Sequence, residues 1–332
     1  MRIIIDAHGG DLAPLETIKG ALAALDCGER IALTGIPKVI RSCAEENSLD
    51  ISALEIIPAS SVMEMHDEAK AVLKEKAESS MGAGLRALAS GEAEAFVSAG
   101  PTGALLMGAT MIVKRIKGVK RPALCVVLPG ENPALLIDCG ANAECRPEML
   151  LQFAKLGREY MRGVVGVENP RVGLVNNGAE ESKGTQLQIE AYKLLASEQG
   201  LNFAGNVEGR DILLGACDVL VADGFTGNVI LKTVEGAAAL LFGRLKELFY
   251  QNTASKLAAA VLKPSLKQMK DSLDYTKYGG APIVGLCKPV IKAHGSSNAE
   301  AIKNAVYQAV AWQSSGAGER MAEVFASEKG EE

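Results

Sequence analysis

The sequence predicts an α/β protein: a mainly parallel sheet with helices on both faces. Three observations carry that expectation. Short apolar runs alternate with longer helical patterns almost from end to end of the 332 residues. The runs are apolar throughout rather than at every second residue, as strands covered on both faces require. Gly, at 35 of 332 residues, exceeds the usual ~7% and gathers in turns between strand and helix.

The expected strands, in order, are Ile3–Ile5, Ile31–Leu33, Glu55–Ile57, Ala95–Val97, Leu124–Leu128, Leu135–Ile137, Val172–Val175 and Val219–Ala222. Helical patterns run from about Pro14 to Leu25, Thr102 to Arg115, Pro147 to Met161, Thr185 to Gln199, Thr226 to Phe249 and Ser297 to Ser314. In the third of these, Leu150, Leu151, Ala154 and Gly157 recur at the spacing of a half-buried helix. Ala95–Val113 carries no charge over 19 residues, but Ser98, Gly100, Pro101, Thr102, Gly103 and Gly108 divide it into strand, turn and buried helix rather than a membrane span. No linker marks a boundary, so residues 1–327 read as one large domain with a cleft at the strand ends, and 328–332 as a disordered tail.

Hydrophobic residues make up 48% and aromatics 4%, so the core is aliphatic. A net charge of −5 argues against a nucleic-acid partner. Seven Cys without close pairing read as reduced thiols of a cytoplasmic protein. Asp6, His8 and Asp11 interrupt the apolar start, so no signal peptide is expected.

Five glycine-rich polar turns follow strands and open into helices: Asp6–Asp11, Ser98–Gly103, Asp138–Asn142, Asn176–Gly178 and Asp223–Asn228. Carboxyl ends of strands in open α/β sheets gather into a ligand crevice, and glycine lets backbone approach an anion. The turns therefore predict a shared phosphate-sized site, with Asp6, Asp11, Ser98 and Thr102 among its lining. GxxxxGK[ST], GxGxxG after a strand and GxSxG are all missing, and the three His are dispersed. No nucleotide, nicotinamide or metal cofactor is expected.

At these turns the chain resembles the bacterial phosphate acyltransferases of phospholipid synthesis. The resembling stretches include MRIIIDAHGGDLAP (1–14), VSAGPTGALL (97–106), IDCGAN (137–142), PRVGLVNNGAEESKG (170–184), VLVADGFTGNVILKTVEG (219–236), YGGAPIVGL (278–286) and IKAHGSS (291–297), and they run in family order. His8, Pro101 and Asn177 depart from the pattern, where Met, Asn and a β-branched residue are usual. The resemblance implies a three-layer fold similar to isocitrate and isopropylmalate dehydrogenases and to phosphotransacetylases. It also implies a homodimer and reversible, cofactor-free transfer of a long-chain acyl group from acyl carrier protein to inorganic phosphate.

That chemistry suits the residues. Orthophosphate attacks a thioester without a strong base, and the thiolate leaves without a strong acid. The protein supplies position and charge. Phosphate is assigned to the backbone of Gly9, Gly10 and Gly103 with Lys183 as cation, Asn142, Asn228 and His294 to the thioester or oxyanion, and Asp223 to orienting a Lys or His. Asp223 has a simpler reading as a cap for the helix near Thr226.

Two basic stretches stand out in an acidic chain. One runs from Lys114 to Arg121, with Arg115 and Lys117 as candidate contacts for the acidic carrier. In the other, over 251–274, Leu262, Leu266, Met269 and Leu273 fall on one helical face beside Lys263 and Lys267, with Pro264 near a helix start. That face suits a peripheral membrane contact, near the membrane glycerol-3-phosphate acyltransferase that uses acyl-phosphate, or packing on its own protein or at a dimer contact, and its lysines, like the first stretch, also suit the acidic carrier. Rival readings are a phosphotransacetylase using acyl-CoA, an isopropylmalate-type dehydrogenase, and a carrier-binding scaffold without turnover.

Overall fold

Burial along the strands sorts the molecule into layers. In the computed structural model, which describes residues 1–129, 132–272 and 279–327, Ile3 and Ile5 belong to one apolar cluster and Ile4 between them to another. Successive strand side chains point to opposite faces, so both faces of this strand are covered.

The elements in chain order are β1 (Arg2–Asp6), α1 (Leu15–Ala23), β2 (Arg30–Gly35), α2 (Pro37–Glu46), β3 (Glu55–Pro58), α3 (Ser80–Ser90), β4 (Ala95–Ser98), α4 (Thr102–Gly108), β5 (Ala123–Leu128), β6 (Ala134–Ile137) and α5 (Pro147–Tyr160). There follow β7 (Val172–Asn176), α6 (Gln186–Ser197), β8 (Phe203–Glu208), β9 (Val219–Val221), α7 (Gly224–Tyr250), α8 (Thr253–Ser272), β10 (Ala281–Val284), β11 (Val290–Lys292), α9 (Ala299–Ser314) and α10 (Ala317–Ser327). Among the described residues one sheet holds eleven strands, in the order β3-β2-β1-β4-β11-β10-β5-β6-β9-β7-β8. The pairs on either side of the middle are parallel, while β11–β10, β10–β5 and β5–β6 are antiparallel. Two parallel halves of opposite direction thus meet at β10 and β5. The fold is the expected α/β arrangement, with the strand direction reversing at its centre.

One face carries a continuous core in which α1, α5, α9 and α10 cover strands from both halves. The other face is split: α3 and α4 cover the first half, and the start of α7 helps cover the second. Leu124 belongs to the first of these cores, Val126 to the second, and Ala281 packs against both. The gap between the two cores places a cleft over the middle strands.

All eight expected strands form, with ends shifted by a residue or so. Sequence patterns did not reveal β8, β10, β11, α2, α3 or α10. β11 has only three residues, and α3 is rich in small residues that read as loop. Its Gly84 lies so close to Phe96 that a Cβ would meet the ring at 2.2 Å. The expected Thr102–Arg115 helix is α4, continued by a wider turn over Ala109–Val113.

Beyond Glu235, α7 leaves the body and pairs with α8 as a projecting arm. Pro264 lies inside α8, not near its start, which corrects the expectation. The start signal is Asn252, whose Oδ1 accepts the N–H of Ser255 at 2.9 Å. α7 is long and apolar enough to cross a membrane by composition. Its side chains as far as Glu235 line the cleft, and the fifteen residues from there to Tyr250 rise about 22 Å, short of the ~30 Å hydrocarbon core. The expected tail, 328–332, and Leu273 lie outside the described residues.

Candidate functional site

The cleft encloses about 480 Å³ and draws its walls from both halves of the sheet. Residues after β1 (Asp11), β4 (Thr102), β11 (His294) and β6 (Gly140) meet there, facing Asn228 and Lys232 of α7. Leu124, Val126 and Leu231 give it an apolar floor. The carboxyl ends of strands from the two opposed halves thus reach one crevice over the middle strands.

Glycine lets these loops close on one another. Gly10 has φ +101°, and a Cβ there would lie 2.9 Å from the Gly295 carbonyl; a Cβ on Gly9 would lie 2.6 Å from the Gly100 nitrogen. The N–H of Asp11 donates to Gly295 O at 2.7 Å, joining the loops after β1 and β11. Buried Asp6 accepts from Ser98 Oγ at 2.7 Å, and Ser98 Oγ accepts the N–H of Gly100 at 3.0 Å. Asp6, Ser98, Gly9 and Gly10 thus brace the loops and do not line the cleft. Gly103 is exposed and also outside it.

The opposite wall rests on Asp138, fully buried at the end of β6. Its carboxylate accepts N–H groups from Leu124, Gly140, Ala141 and Asn142, and the Asn142 side-chain amide at 2.9 Å. Burial pushes the Asp138 pKa up, opposed by these donors. Asn142 also donates to Pro122 O at 2.9 Å, so its amide is committed to the loop, which corrects its assignment to the thioester. The start of α7 lies directly on this loop: a Cβ on Gly227 would fall 1.9 Å from Asp138 O, and Gly224 N–H donates to Asn142 O at 2.7 Å. Asp223 caps the helix, accepting from the Thr226 N–H at 2.9 Å and its hydroxyl at 2.7 Å. Its carboxylate holds α7 in place; among the described residues, no Lys or His is one of its hydrogen-bond partners.

Two lysines that the sequence reading did not select stand in the cleft. Lys292 ends β11, and its ammonium donates to Ala99 O at 3.4 Å and to Ala293 O. Burial lowers its pKa to about 8, against the pull of Asp11 and Asp6. Lys232 pairs with Glu235 at 2.7 Å on α7. Lys292 lay within the IKAHGSS stretch, but a three-residue strand gives no periodic signal. Lys183 is exposed in the loop after β7, close to the far edge of the sheet, and does not line the cleft. The structure corrects its choice as cationic partner.

His294 accepts the N–H of Ser296 on Nδ1 at 3.2 Å, so its neutral ring carries hydrogen on Nε2. Its pKa is lowered by burial and by Lys232. His8 accepts the N–H of Ile36 at 3.0 Å and faces the end of β2 instead. Cys139 lines the cleft but is buried with its pKa pushed well up and its thiol donated to Leu136 O, a poor nucleophile. Among the described residues, no three His, Cys, Asp or Glu side chains gather to hold a metal ion.

The cleft joins cations and an N–H donor to an apolar floor at the converging strand ends of an α/β sheet. Solved structures share the fold. A phosphotransacetylase from Streptococcus pyogenes is 17% identical with TM-score 0.63, covering 94% of each chain. The EutD phosphotransacetylase from Staphylococcus aureus is 20% identical with TM-score 0.60, again covering 94% of each. A 4-hydroxythreonine-4-phosphate dehydrogenase from Salmonella typhimurium is 12% identical with TM-score 0.53, covering 94% of this chain and 98% of that one.

Sequence relatives are much nearer. The phosphate acyltransferase of Halothermothrix orenii is 46% identical over 310 residues, 92% of this chain and 93% of its own. That of Caldanaerobacter subterraneus subsp. tengcongensis is 48% identical over 310 residues, 93% of this chain and 92% of its own. The family model described as fatty acid synthesis protein matches residues 1–320. The chain belongs to this family, the phosphate acyltransferases, and is an acyltransferase.

Proposed function

We propose that the cleft transfers a long-chain acyl group from acyl carrier protein directly to inorganic phosphate. The observation that carries this reading is the pairing of Lys292, Lys232 and His294 with the apolar floor of Leu124, Val126 and Leu231 in one cleft. In this mechanism Lys292 and Lys232 hold phosphate against the thioester. Positioning two reactants this way replaces the need for a strong base. His294 Nε2–H and the Asn228 amide donate to the carbonyl oxygen as it gains charge. An ionised oxygen of the hydrogen phosphate forms its bond to the acyl carbon, the C–S bond breaks, and the departing sulfur takes the proton that the phosphate gives up, so the carrier leaves as its thiol. Asp11 and Thr102 stand at the rim to orient the phosphate.

The finer assignments of assembly and location belong to the same proposal. Leu240, Leu241 and Leu248 of α7 and Leu257, Val261 and Leu262 of α8 are exposed, Val261 to 80%. An apolar surface on that scale calls for a cover. A second copy of the arm covers it in a homodimer, with Lys256 and Lys263 placed for anionic lipid at a peripheral membrane contact. Leu262 and Lys263 are exposed and Leu266 is half-buried; the Lys267 side chain lies outside the described residues. The location is then cytoplasmic, at the inner membrane face.

The test is acyl-phosphate formation from palmitoyl-acyl carrier protein plus orthophosphate, beside acetyl-CoA and palmitoyl-CoA. Product from the carrier donor supports the reading. Turnover of acetyl-CoA alone would transfer the chain to phosphotransacetylase chemistry.

A further inference from the structure

A second, polar cavity of about 650 Å³ lies against the Asp138–Asn142 loop. Cys139 and Gly140 face the substrate cleft, while Ala141 and Asn142 line this second cavity. One clamped turn of backbone is therefore the wall between the two.

Three cations line the second cavity: Lys120 and Arg121 from the turn before β5, and Arg146 just before α5. All three are exposed. Among the described residues none of the three forms an ion pair, although Glu144 and Glu148 stand on the same rim. The backbone that carries the first two is held firmly. Lys120 N–H donates to Gln152 Oε1 at 2.6 Å, Gln152 Nε2 donates to Arg121 O at 2.6 Å, and the Arg115 guanidinium donates to Lys120 O. Unpaired, exposed cations on a fixed scaffold in an acidic chain present an electrostatic surface to a negative partner.

The same geometry sorts the basic run. Arg115 is spent on bracing Lys120, and Lys117 lines a different cavity, beside Lys288 and Trp312. Neither faces the wall of the substrate cleft.

We infer that the cavity of Lys120, Arg121 and Arg146 docks the acidic face of the carrier protein that brings the acyl thioester. The inference rests on the proposed function and adds where the donor binds. Charge complementarity selects the partner, and the shared wall explains the location. A carrier seated there stands beside the cleft that its thioester must enter.

The experiment compares two donors with the full-length protein: palmitoyl-acyl carrier protein and the neutral S-palmitoyl-N-acetylcysteamine. The variants are Lys120→Glu/Arg121→Glu and Arg146→Glu, each checked for native circular dichroism. KM for the carrier donor is expected to rise by about tenfold or more, while the neutral donor keeps its kcat/KM. An unchanged KM for the carrier overturns the inference and leaves the proposed function standing. Equal loss with both donors also overturns it, since that marks a structural role. Wild-type protein that makes no acyl-phosphate from either donor overturns the functional reading itself, and the inference with it.

A salt titration of the wild-type protein is independent of how the variants fold. Raising ionic strength is expected to raise KM for the carrier and not for the neutral thioester. A flat carrier response overturns the proposal. So does loss of binding to anionic phosphatidylglycerol vesicles by variants that keep their carrier KM, which assigns the patch to membrane instead.

Discussion

The segments that close β7 (176–185) and β11 (292–298) look alike in composition: each is polar, contains glycine and carries one lysine. Lys183 in the first is exposed near the sheet edge, while Lys292 in the second is enclosed at its centre, between the loops after β1 and β4. The difference is one of strand position. β7 has only β8 beyond it, whereas β11 joins β4 to β10 at the reversal of direction. A lysine becomes a site residue here because neighbouring strand ends crowd around it, not because of the turn that bears it.

The largest effect expected from this contrast is at Lys292. Lys292→Met is expected to lower kcat/KM about 100- to 1,000-fold, the usual scale for removing a group that stabilises charge in a reacting complex. Steady-state acyl-phosphate assays check it, and a loss within about threefold would place the anion elsewhere in the cleft.

The pH response of the same group gives the second test. Lys292 titrates at about 8 in the folded chain against an ordinary 10.5. Its charge is lost as pH rises through about 8, so kcat/KM for phosphate is expected to fall by about tenfold per pH unit above that point. Stability moves the other way. Between about 8 and 10.5 the unfolded chain binds more protons than the folded one, so unfolding free energy rises with pH across that window. Below it, Lys292→Met is expected to stabilise the protein by about 3 kcal/mol at most. Denaturant titrations at pH 7 and pH 10 check both signs. A variant less stable than wild type at pH 7 would contradict burial as the cause of the shift.

A smaller effect tests the opposite wall. Asn142→Ala removes two side-chain hydrogen bonds and leaves Asp138 with fewer donors, for a loss of about 1–3 kcal/mol in stability. The check is the midpoint of urea unfolding; an unchanged midpoint would return Asn142 to the list of substrate contacts. The smallest effect closes the comparison: Lys183→Ala is expected to keep turnover within about twofold, as exposed charges away from a site usually do. A large loss there would break the contrast between the two loops.

Much of the architecture was legible in the chain. Continuous apolar runs such as Leu124–Leu128 identified doubly covered strands, and the turns at Asp6, Ser98, Asp138 and Asp223 marked strand ends that do border the cleft or hold its walls. Of the candidate residues, Asp11, Thr102, Asn228 and His294 line it. Other polar or glycine turn residues serve the fold instead. Asp223 and Asn142 are polar because helix and loop need internal partners, and Gly9 and Gly10 because two loops touch there. Polar turn residues that bind ligand and those that satisfy backbone have the same composition, so sequence does not separate them.

Local physics written in the residue order established the layers, the aliphatic core and the number of glycine-bearing strand ends. Strand order came only with tertiary structure, because the apolar pattern of a buried strand is the same whichever neighbours it pairs with. That order brought a three-residue strand to the centre, enclosed Lys292 among loops far apart in sequence, and left Lys183 in solvent. It also divided one face of the core in two, and the substrate cleft is the space between.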